Sequence, residues 1–147
     1  GFSRSPIESS VLAAHGIEAV ATLEQLLAEA DVVSLHCPST EATRGMMNAS
    51  RIALMKPKSF LINTARGDLV DDDAVIAAVM AGHLAGIGLD VYRGEPDFDR
   101  RYLSLEQAVL LPHLGSATRE TREAMGFRVI ANLDAFFRGE AVPDRVG

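Results

Sequence analysis

Four residues that can bind a carboxylate or transfer a proton each stand just beyond a short apolar segment of the sequence. They are Arg66, Asp90, Glu95 and His113. An arginine guanidinium can hold a carboxylate through two parallel hydrogen bonds, and a histidine can pass a proton near neutral pH. A glutamate beside that histidine favours the imidazolium and raises its pKa. Such a set is suited to protonating a ketone oxygen while hydride reaches its carbon.

Each of these four residues also has an ordinary structural interpretation. Arg66 could cap a helix or form a surface ion pair, and Asp90 could be a turn former at the end of a strand. Glu95 lies in a Gly-Glu-Pro turn and could be solvated, while His113 could be a satisfied core histidine. From spacing alone, both interpretations stay open.

Other side chains with ligand chemistry have weaker patterns. His15, His36 and His83 lie near predicted element ends without a partner pattern, so we assign them no role. The run Asp71–Asp73 could suggest a metal, but acidic side chains are also favoured at the start of a helix, and no other acid-rich set accompanies it. We predict a helix start there and no metal site. The single cysteine, Cys37, follows an apolar segment and is predicted to be a buried small residue.

The elements that must position these residues alternate between strands and helices. Apolar segments predict strands at 31–36, 59–64, 84–91 and 108–111. Helical spacing predicts a helix at 22–30 with Thr22 as its N-cap, one or two short helices within 40–54, and helices at 70–80 and 116–138. Residues 1–10 are predicted to be the end of a strand entering a polar loop.

The strands are apolar along most of their length, which is typical of a parallel sheet covered by helices on both faces. Open sheets of this kind bind ligands at the carboxyl ends of their strands. Arg66, Asp90 and His113 stand at such ends. We therefore expect an α/β fold whose chemistry lies at the carboxyl edge of the sheet.

The composition disfavours several classes of function. The 147 residues carry a net charge of -6, so nothing supplies a broad cationic surface for nucleic-acid phosphates. No apolar run reaches the length of a membrane span, and no binding to a membrane is expected. One cysteine and the lack of a signal-peptide apolar core predict a cytoplasmic protein. The missing initial methionine predicts an excised piece or a processed product.

Three long stretches carry a resemblance to a known family, the D-isomer-specific 2-hydroxyacid dehydrogenases. They are ADVVSLHCPSTEATRGMMN, LMKPKSFLINTARGDLVDDDAVIAAVMAGHLAGIGLDVYRGEP and VLLPHLGSATRETREAMGFRVIANLDAFFRGE. They follow one another across residues 30–140 and are most similar to the glyoxylate/hydroxypyruvate reductase and phosphoglycerate dehydrogenase branches. The resemblance implies an NAD(P)-dependent oxidoreductase with a Rossmann-like, doubly wound parallel sheet.

The resemblance also implies a role for each residue of the opening set. Arg66 matches the arginine that orients the substrate, His113 the acid/base, and Glu95 the carboxylate paired with that histidine. Asp90 matches the aspartate near the nicotinamide carboxamide. A related formate-oxidising branch usually has glutamine where Glu95 stands, so the glutamate favours 2-hydroxy/2-keto acid chemistry.

Further positions match residues that line the cofactor in the family. These positions are Pro38, Thr64, Ala65 and Gly115. Ser3, Arg4 and Ser5 lie where the second strand of the family's fold ends, a place where NAD-preferring members usually carry an acid. An arginine flanked by hydroxyls would favour a 2′-phosphate, so we predict a preference for NADP over NAD.

The chain also lacks parts that the family has. No GxGxxG motif occurs, and Gly86-Ile87-Gly88 is not a substitute because it lies within a predicted strand. We expect an incomplete Rossmann domain at 1–115, without its first strand, glycine loop and first helix, and a helix and tail at 116–147 that return toward an absent substrate domain. The isolated chain is then expected to be inactive.

The resemblance supports two classes of function. The first is a reductase that interconverts a small 2-keto acid, such as glyoxylate or hydroxypyruvate, and its D-2-hydroxy acid. The second is a dinucleotide-sensing, corepressor-like binding protein of the same fold. Members of the family are usually homodimers, and we carry that expectation over to this chain.

Overall fold

The computed structural model describes residues 1–146, which form two compact units: Gly1–Pro112 and a second unit that begins at His113. Within the described part of the first unit, one sheet is formed by β1 (Val32–Leu35), β2 (Ser59–Asn63), β3 (Leu84–Leu89) and β4 (Ala108–Leu110). All neighbouring strands are parallel, and their order in the sheet follows the sequence. The predicted parallel α/β fold is therefore confirmed.

Helices connect the strands of the first unit. They are α1 (Ser9–Ala14), α2 (Leu23–Glu29), α3 (Ala49–Ile52) and α4 (Asp72–Met80), with short 3-10 helices at Gly67–Leu69 and Arg100–Ser104. As predicted, Thr22 caps α2: its hydroxyl accepts a hydrogen bond from the Gln25 backbone N–H at 3.1 Å. Such an oxygen satisfies one of the N–H groups that a helix start leaves without a partner.

The core lies on one face of the sheet. Val33, Leu61 and Ile87 are paired side by side on three neighbouring strands and are almost completely buried. Leu27 of α2 and Val75 of α4 belong to the same buried cluster. Because side chains alternate across a strand, burial of this face also determines which strand residues point away from the core.

The opposite face of the sheet carries exposed apolar side chains in the first unit. Val32 is 56% exposed, Phe60 43% and Val109 65%. The expectation that helices cover both faces is therefore not met within this unit. The reason lies in the topology: right-handed crossovers between neighbouring strands, taken in sequence order, place the connecting helices on the same face.

One local prediction was wrong. Residues 1–10 contain the start of α1 rather than a strand, although the Val20 N–H donates to the Gly1 carbonyl at 2.9 Å.

The segment 40–54 contains one short helix, the four-residue α3, within the predicted range, and turns precede it. In those turns the Thr43 hydroxyl donates to the Pro38 carbonyl at 2.7 Å, a local bond that competes with helix formation.

The aspartate run begins α4, as the sequence predicted. Asp71 accepts a hydrogen bond from the backbone N–H three residues on, at 3.2 Å, and so caps the helix. Asp72 accepts from the Tyr102 hydroxyl at 2.7 Å, and burial raises the pKa of this carboxyl above its ordinary value. Asp73 lies 2.6 Å from the Arg101 guanidinium. All three carboxylates thus have partners within the protein.

The second unit contains the long helix α5 (Arg119–Phe137), close to the predicted range. Its N-cap is Thr118, and Gly139 beyond its end has φ +71°, a conformation that glycine adopts easily. The Arg128 guanidinium binds the Asp144 carboxylate of the tail. Across residues 1–146, none of the helices combines the length and apolar character needed to cross a membrane.

Candidate functional site

The carboxyl ends of three strands lie level with one another at one edge of the sheet. Asn63, the last residue of β2, pairs with Leu35 at the end of β1 and with Leu89 at the end of β3. The loops that follow these strands carry Pro38, Thr64–Arg66 and Asp90. The sheet register therefore brings these predicted site segments to the same edge, as expected for an open parallel sheet.

Asn63 shapes the loop that carries Arg66. Its side chain is completely buried; its amide group donates to the Arg66 carbonyl at 2.9 Å and accepts from the Ala65 N–H at 3.1 Å. The backbone carbonyl of Asn63 accepts from the Asp90 N–H at 3.0 Å. Asn63 was not among the predicted site residues, although a polar residue that ends an apolar strand is a signal for such a turn.

The Arg66 side chain emerges from this ordered loop into solvent. Its guanidinium donates to the Ala65 carbonyl at 2.6 Å, and the residue is exposed. Thr64 is exposed as well, while Asp90 at the end of β3 is only 5% exposed. The edge thus combines an accessible cation with a buried carboxylate.

Backbone contact joins the Arg66 loop to the loop that follows β3. Gly67 has no Cβ, and an added Cβ would lie only 1.9 Å from the carbonyl carbon of Tyr92 and 2.3 Å from the nitrogen of Arg93. Only glycine allows two main chains to approach this closely. The loop that carries Arg66 is therefore packed directly on the loop that leads to Glu95.

Glu95 is anchored by the same loop. Its Oε1 accepts a hydrogen bond from the Tyr92 backbone N–H at 2.6 Å. Gly94, between the two residues, has φ +79°, and a bond from the Asp97 N–H to the Gly94 carbonyl at 3.0 Å closes the next turn. A carboxylate held by a backbone N–H in this way has a defined position although the residue is exposed.

The Pro38 loop is tied to the segment just after Arg66 through Asp68. The Ser39 hydroxyl donates to the Asp68 carboxylate at 3.4 Å, and the Arg44 guanidinium lies 3.6 Å from it. The Asp68 carbonyl also accepts from the Gly45 N–H at 2.7 Å. Asp68 therefore couples the loops that follow β1 and β2, a link that depends on tertiary contact and has no signal in the sequence.

The remaining predicted site residues belong to other segments of the chain. Ser3, Arg4 and Ser5 are exposed and precede α1. His113 and Gly115 belong to the second unit, in the segment before α5. His113 has φ +56°, which is uncommon for a residue other than glycine.

Comparisons with known proteins agree with this architecture. Residues 1–115 match the model of the NAD binding domain of D-isomer specific 2-hydroxyacid dehydrogenases. A glyoxylate reductase of Pyrococcus furiosus is 49% identical over 124 residues, which cover 84% of this chain and 37% of that protein. A D-3-phosphoglycerate dehydrogenase of Mycobacterium bovis is 40% identical over 131 residues, which cover 89% of this chain and 25% of that protein.

Solved structures show the same likeness. The NADPH-dependent glyoxylate/hydroxypyruvate reductase of Sinorhizobium meliloti, in complex with NADP and malonate, aligns with a TM-score of 0.89 at 34% identity, covering 99% of this chain and 44% of that one. A D-isomer specific 2-hydroxyacid dehydrogenase from a Polaromonas species aligns with a TM-score of 0.94 at 35% identity, covering 99% and 45%. The chain thus spans less than half the length of these relatives. It belongs to the D-isomer specific 2-hydroxyacid dehydrogenase family, and residues 1–115 correspond to the family's NAD binding domain.

Proposed function

We propose that this chain is the dinucleotide-binding part of an NAD(P)-dependent reductase that converts a small 2-keto acid into its D-2-hydroxy acid. The observation that carries the proposal is the contact between two loops at the carboxyl edge of the sheet. One loop presents the exposed Arg66, and the other holds Glu95 through a 2.6 Å hydrogen bond. Relatives named as glyoxylate reductases, at 45–49% identity, support the choice of a small keto acid.

The residues at this edge fit a nicotinamide dinucleotide. Pro38 and Thr64 are exposed beside the ends of β1 and β2, with Ala65 partly exposed, and these residues would line the cofactor. The buried Asp90 carboxylate can accept a hydrogen bond from a carboxamide. Gly115 would complete the lining. When bound, the reduced cofactor supplies the hydride for the carbonyl carbon.

The protein's own residues would handle the charge and the proton. Arg66 would hold the carboxylate and the carbonyl oxygen of the substrate, because a guanidinium offers several donors in a fixed plane. His113 would give its proton to the oxygen as the carbonyl is reduced. Glu95 would favour the protonated imidazole and so keep His113 ready to donate.

Reductase activity is the first expected result. The complete protein that contains this chain should oxidise NADPH or NADH in the presence of glyoxylate or hydroxypyruvate, with kcat in the usual enzyme range of about 1–1,000 s⁻¹. The 147-residue chain alone should show no turnover. The reaction is measured by the loss of absorbance of the reduced cofactor, at about 340 nm. Oxidation of formate is the matched negative control.

The same assay separates the reductase from the dinucleotide-sensing alternative. Tight binding of dinucleotide by the complete protein without reduction of any 2-keto acid would contradict the proposed reaction and support a binding protein. The proposed homodimer and the cytoplasmic location stay predictions, which gel filtration of the complete protein and fractionation of cells would test.

Arg4 should determine the choice of cofactor. In the complete protein, Arg4→Ala is expected to lower the ratio of kcat/KM for NADPH to that for NADH by about 10- to 100-fold, because a hydrogen bond to a charged group contributes about 1.5–3 kcal/mol. Ser3 and Ser5 would add hydroxyl donors to the same phosphate.

The matched control for this prediction is Arg122→Ala, which removes another exposed arginine, on α5. It should leave the cofactor ratio unchanged. A wild-type protein that prefers NADH, or an Arg4→Ala protein with an unchanged ratio, would show that Arg4 does not bind the 2′-phosphate.

A further inference from the structure

We propose that Tyr92 is a positioning residue of the candidate site: its hydroxyl fixes the loop whose backbone N–H holds the Glu95 carboxylate. Tyr92 follows β3 and contacts the segments that follow both neighbouring strands, β2 and β4. The geometric part of the proposal stands on the structure, and its kinetic consequence rests on the proposed function.

The phenol oxygen of Tyr92 lies at the carboxyl ends of β3 and β4. It is 3.1 Å from the Leu89 carbonyl and 2.8 Å from the Leu111 carbonyl, and the Leu111 N–H also donates to the Leu89 carbonyl at 2.8 Å. A tyrosine hydroxyl has one hydrogen to donate, so the two carbonyls share it. The hydroxyl thereby ties the segment that follows β4 to the segment that follows β3.

The environment keeps this hydroxyl in its donating form. Burial, reinforced by the carboxylates of Asp90 and Glu95, raises the pKa of the Tyr92 phenol above its ordinary value. The neighbouring Tyr102 hydroxyl has a different set of charged groups near it, which are Asp72, Asp99 and Arg101. The phenol therefore stays protonated across the neutral range, where a donor to two carbonyls is needed.

The ring and the main chain of Tyr92 make the other contacts. Its ring centroid lies 4.6 Å from that of Phe98 and 6.5 Å from that of Tyr102. Its main chain is in contact with Gly67, the residue after Arg66, and its N–H donates to Glu95. The position of one residue thus sets the anchor of Glu95 and the surface on which the Arg66 loop rests.

Removing only the hydroxyl separates these functions. In Tyr92→Phe the ring keeps its aromatic neighbours, and the backbone keeps its N–H, so only the link to the two strand ends is lost. Residue 92 then has more freedom, and the 2.6 Å bond to Glu95 is expected to lengthen and weaken. The matched control is Tyr102→Phe, which removes the hydroxyl that donates to Asp72 at 2.7 Å, away from Glu95.

The first test does not require activity. In wild-type protein, the amide proton of Tyr92 should shift in NMR spectra as the Glu95 carboxylate titrates, and Glu95→Gln should abolish this shift. Tyr92→Phe should lose most of the titration, whereas Tyr102→Phe should retain it. A full titration in folded Tyr92→Phe protein would overturn the proposal, even if the protein proves to be a reductase.

The second test is the rate of keto acid reduction. A weaker anchor leaves the Glu95 carboxylate less precisely placed, so Tyr92→Phe should lower kcat by about 10-fold with little change in KM, whereas Tyr102→Phe should leave both constants in place. An unchanged kcat in an active Tyr92→Phe enzyme would overturn the kinetic consequence. Absence of activity in wild-type protein would instead contradict the proposed function, and the NMR result alone would then decide the role of Tyr92.

Discussion

Arg66→Ala in the complete protein is expected to lower kcat/KM for glyoxylate by about 30- to 5,000-fold, which corresponds to about 2–5 kcal/mol of lost transition-state stabilisation. The guanidinium is accessible at the carboxyl edge, while its backbone is fixed by Asn63 at 2.9 Å. Removal of the side chain therefore takes away the proposed carboxylate ligand and leaves the loop intact. Steady-state reduction of glyoxylate with saturating NADPH measures the loss.

Two controls distinguish a substrate ligand from a general cation. Arg66→Lys keeps the charge but loses the planar pair of donors, so it should recover only a small part of the activity. Arg44→Ala removes a neighbouring arginine whose partner is Asp68 at 3.6 Å, an exposed pair of the kind that contributes little. Arg44→Ala should behave almost as wild type. Near-normal kcat and KM in Arg66→Ala would refute the assignment of Arg66 as substrate ligand.

Most elements of the fold follow from local signals in the sequence. Apolar runs of strand length predict the strands, and Pro38 after the first of them prevents its continuation as regular structure. Helix starts are marked by residues whose short side chains accept from the backbone, such as Thr22 and the aspartates at 71–73. These signals work because each element satisfies its own backbone groups before it packs.

The wrong predictions have a different origin, because they concern segments with little buried surface. Helix α1 has no buried residue, so it lacks the apolar periodicity from which helices are recognised. The exposure of Phe60 and Val109 depends on which strand pairs with which, and an apolar strand looks the same with one face covered or two.

The candidate site also contains some residues that the sequence indicates and others that only the structure reveals. Residue types at strand ends make Arg66, Asp90 and Glu95 candidates, because open parallel sheets bind ligands at the carboxyl ends of their strands. The sequence does not reveal Tyr92 or Asp68, because their roles arise from contacts between loops that are distant along the chain. Tyr92 stands between Val91 and Arg93 in the sequence, and only the three-dimensional arrangement shows which carbonyls its hydroxyl reaches.

Gly67→Ala is expected to destabilise the protein by at least about 3 kcal/mol, at the upper end for insertion of a methyl group into packed structure. The added Cβ would lie 1.9 Å from the Tyr92 carbonyl carbon and 2.2 Å from its oxygen. These are main-chain atoms held by the hydroxyl bonds of Tyr92, so no flexible side chain can move aside. The two loops must separate, and Arg66 must move away from Glu95 with them.

Urea unfolding of wild-type and variant proteins, followed by circular dichroism, measures this cost, and Gly126→Ala provides the matched control. Gly126 lies within α5, where an added Cβ would meet nothing, so alanine should raise helix stability by about 0.5–1 kcal/mol. Opposite signs for the same chemical change at two glycines would show that contact between the loops, rather than loss of backbone freedom, sets the effect at Gly67. The contrary result would be a Gly67→Ala protein that is as stable as wild type and has an unchanged KM for glyoxylate in the complete protein. That result would mean that the two loops are not packed main chain to main chain. The position of Arg66 beside the Glu95 loop would then lose its physical basis.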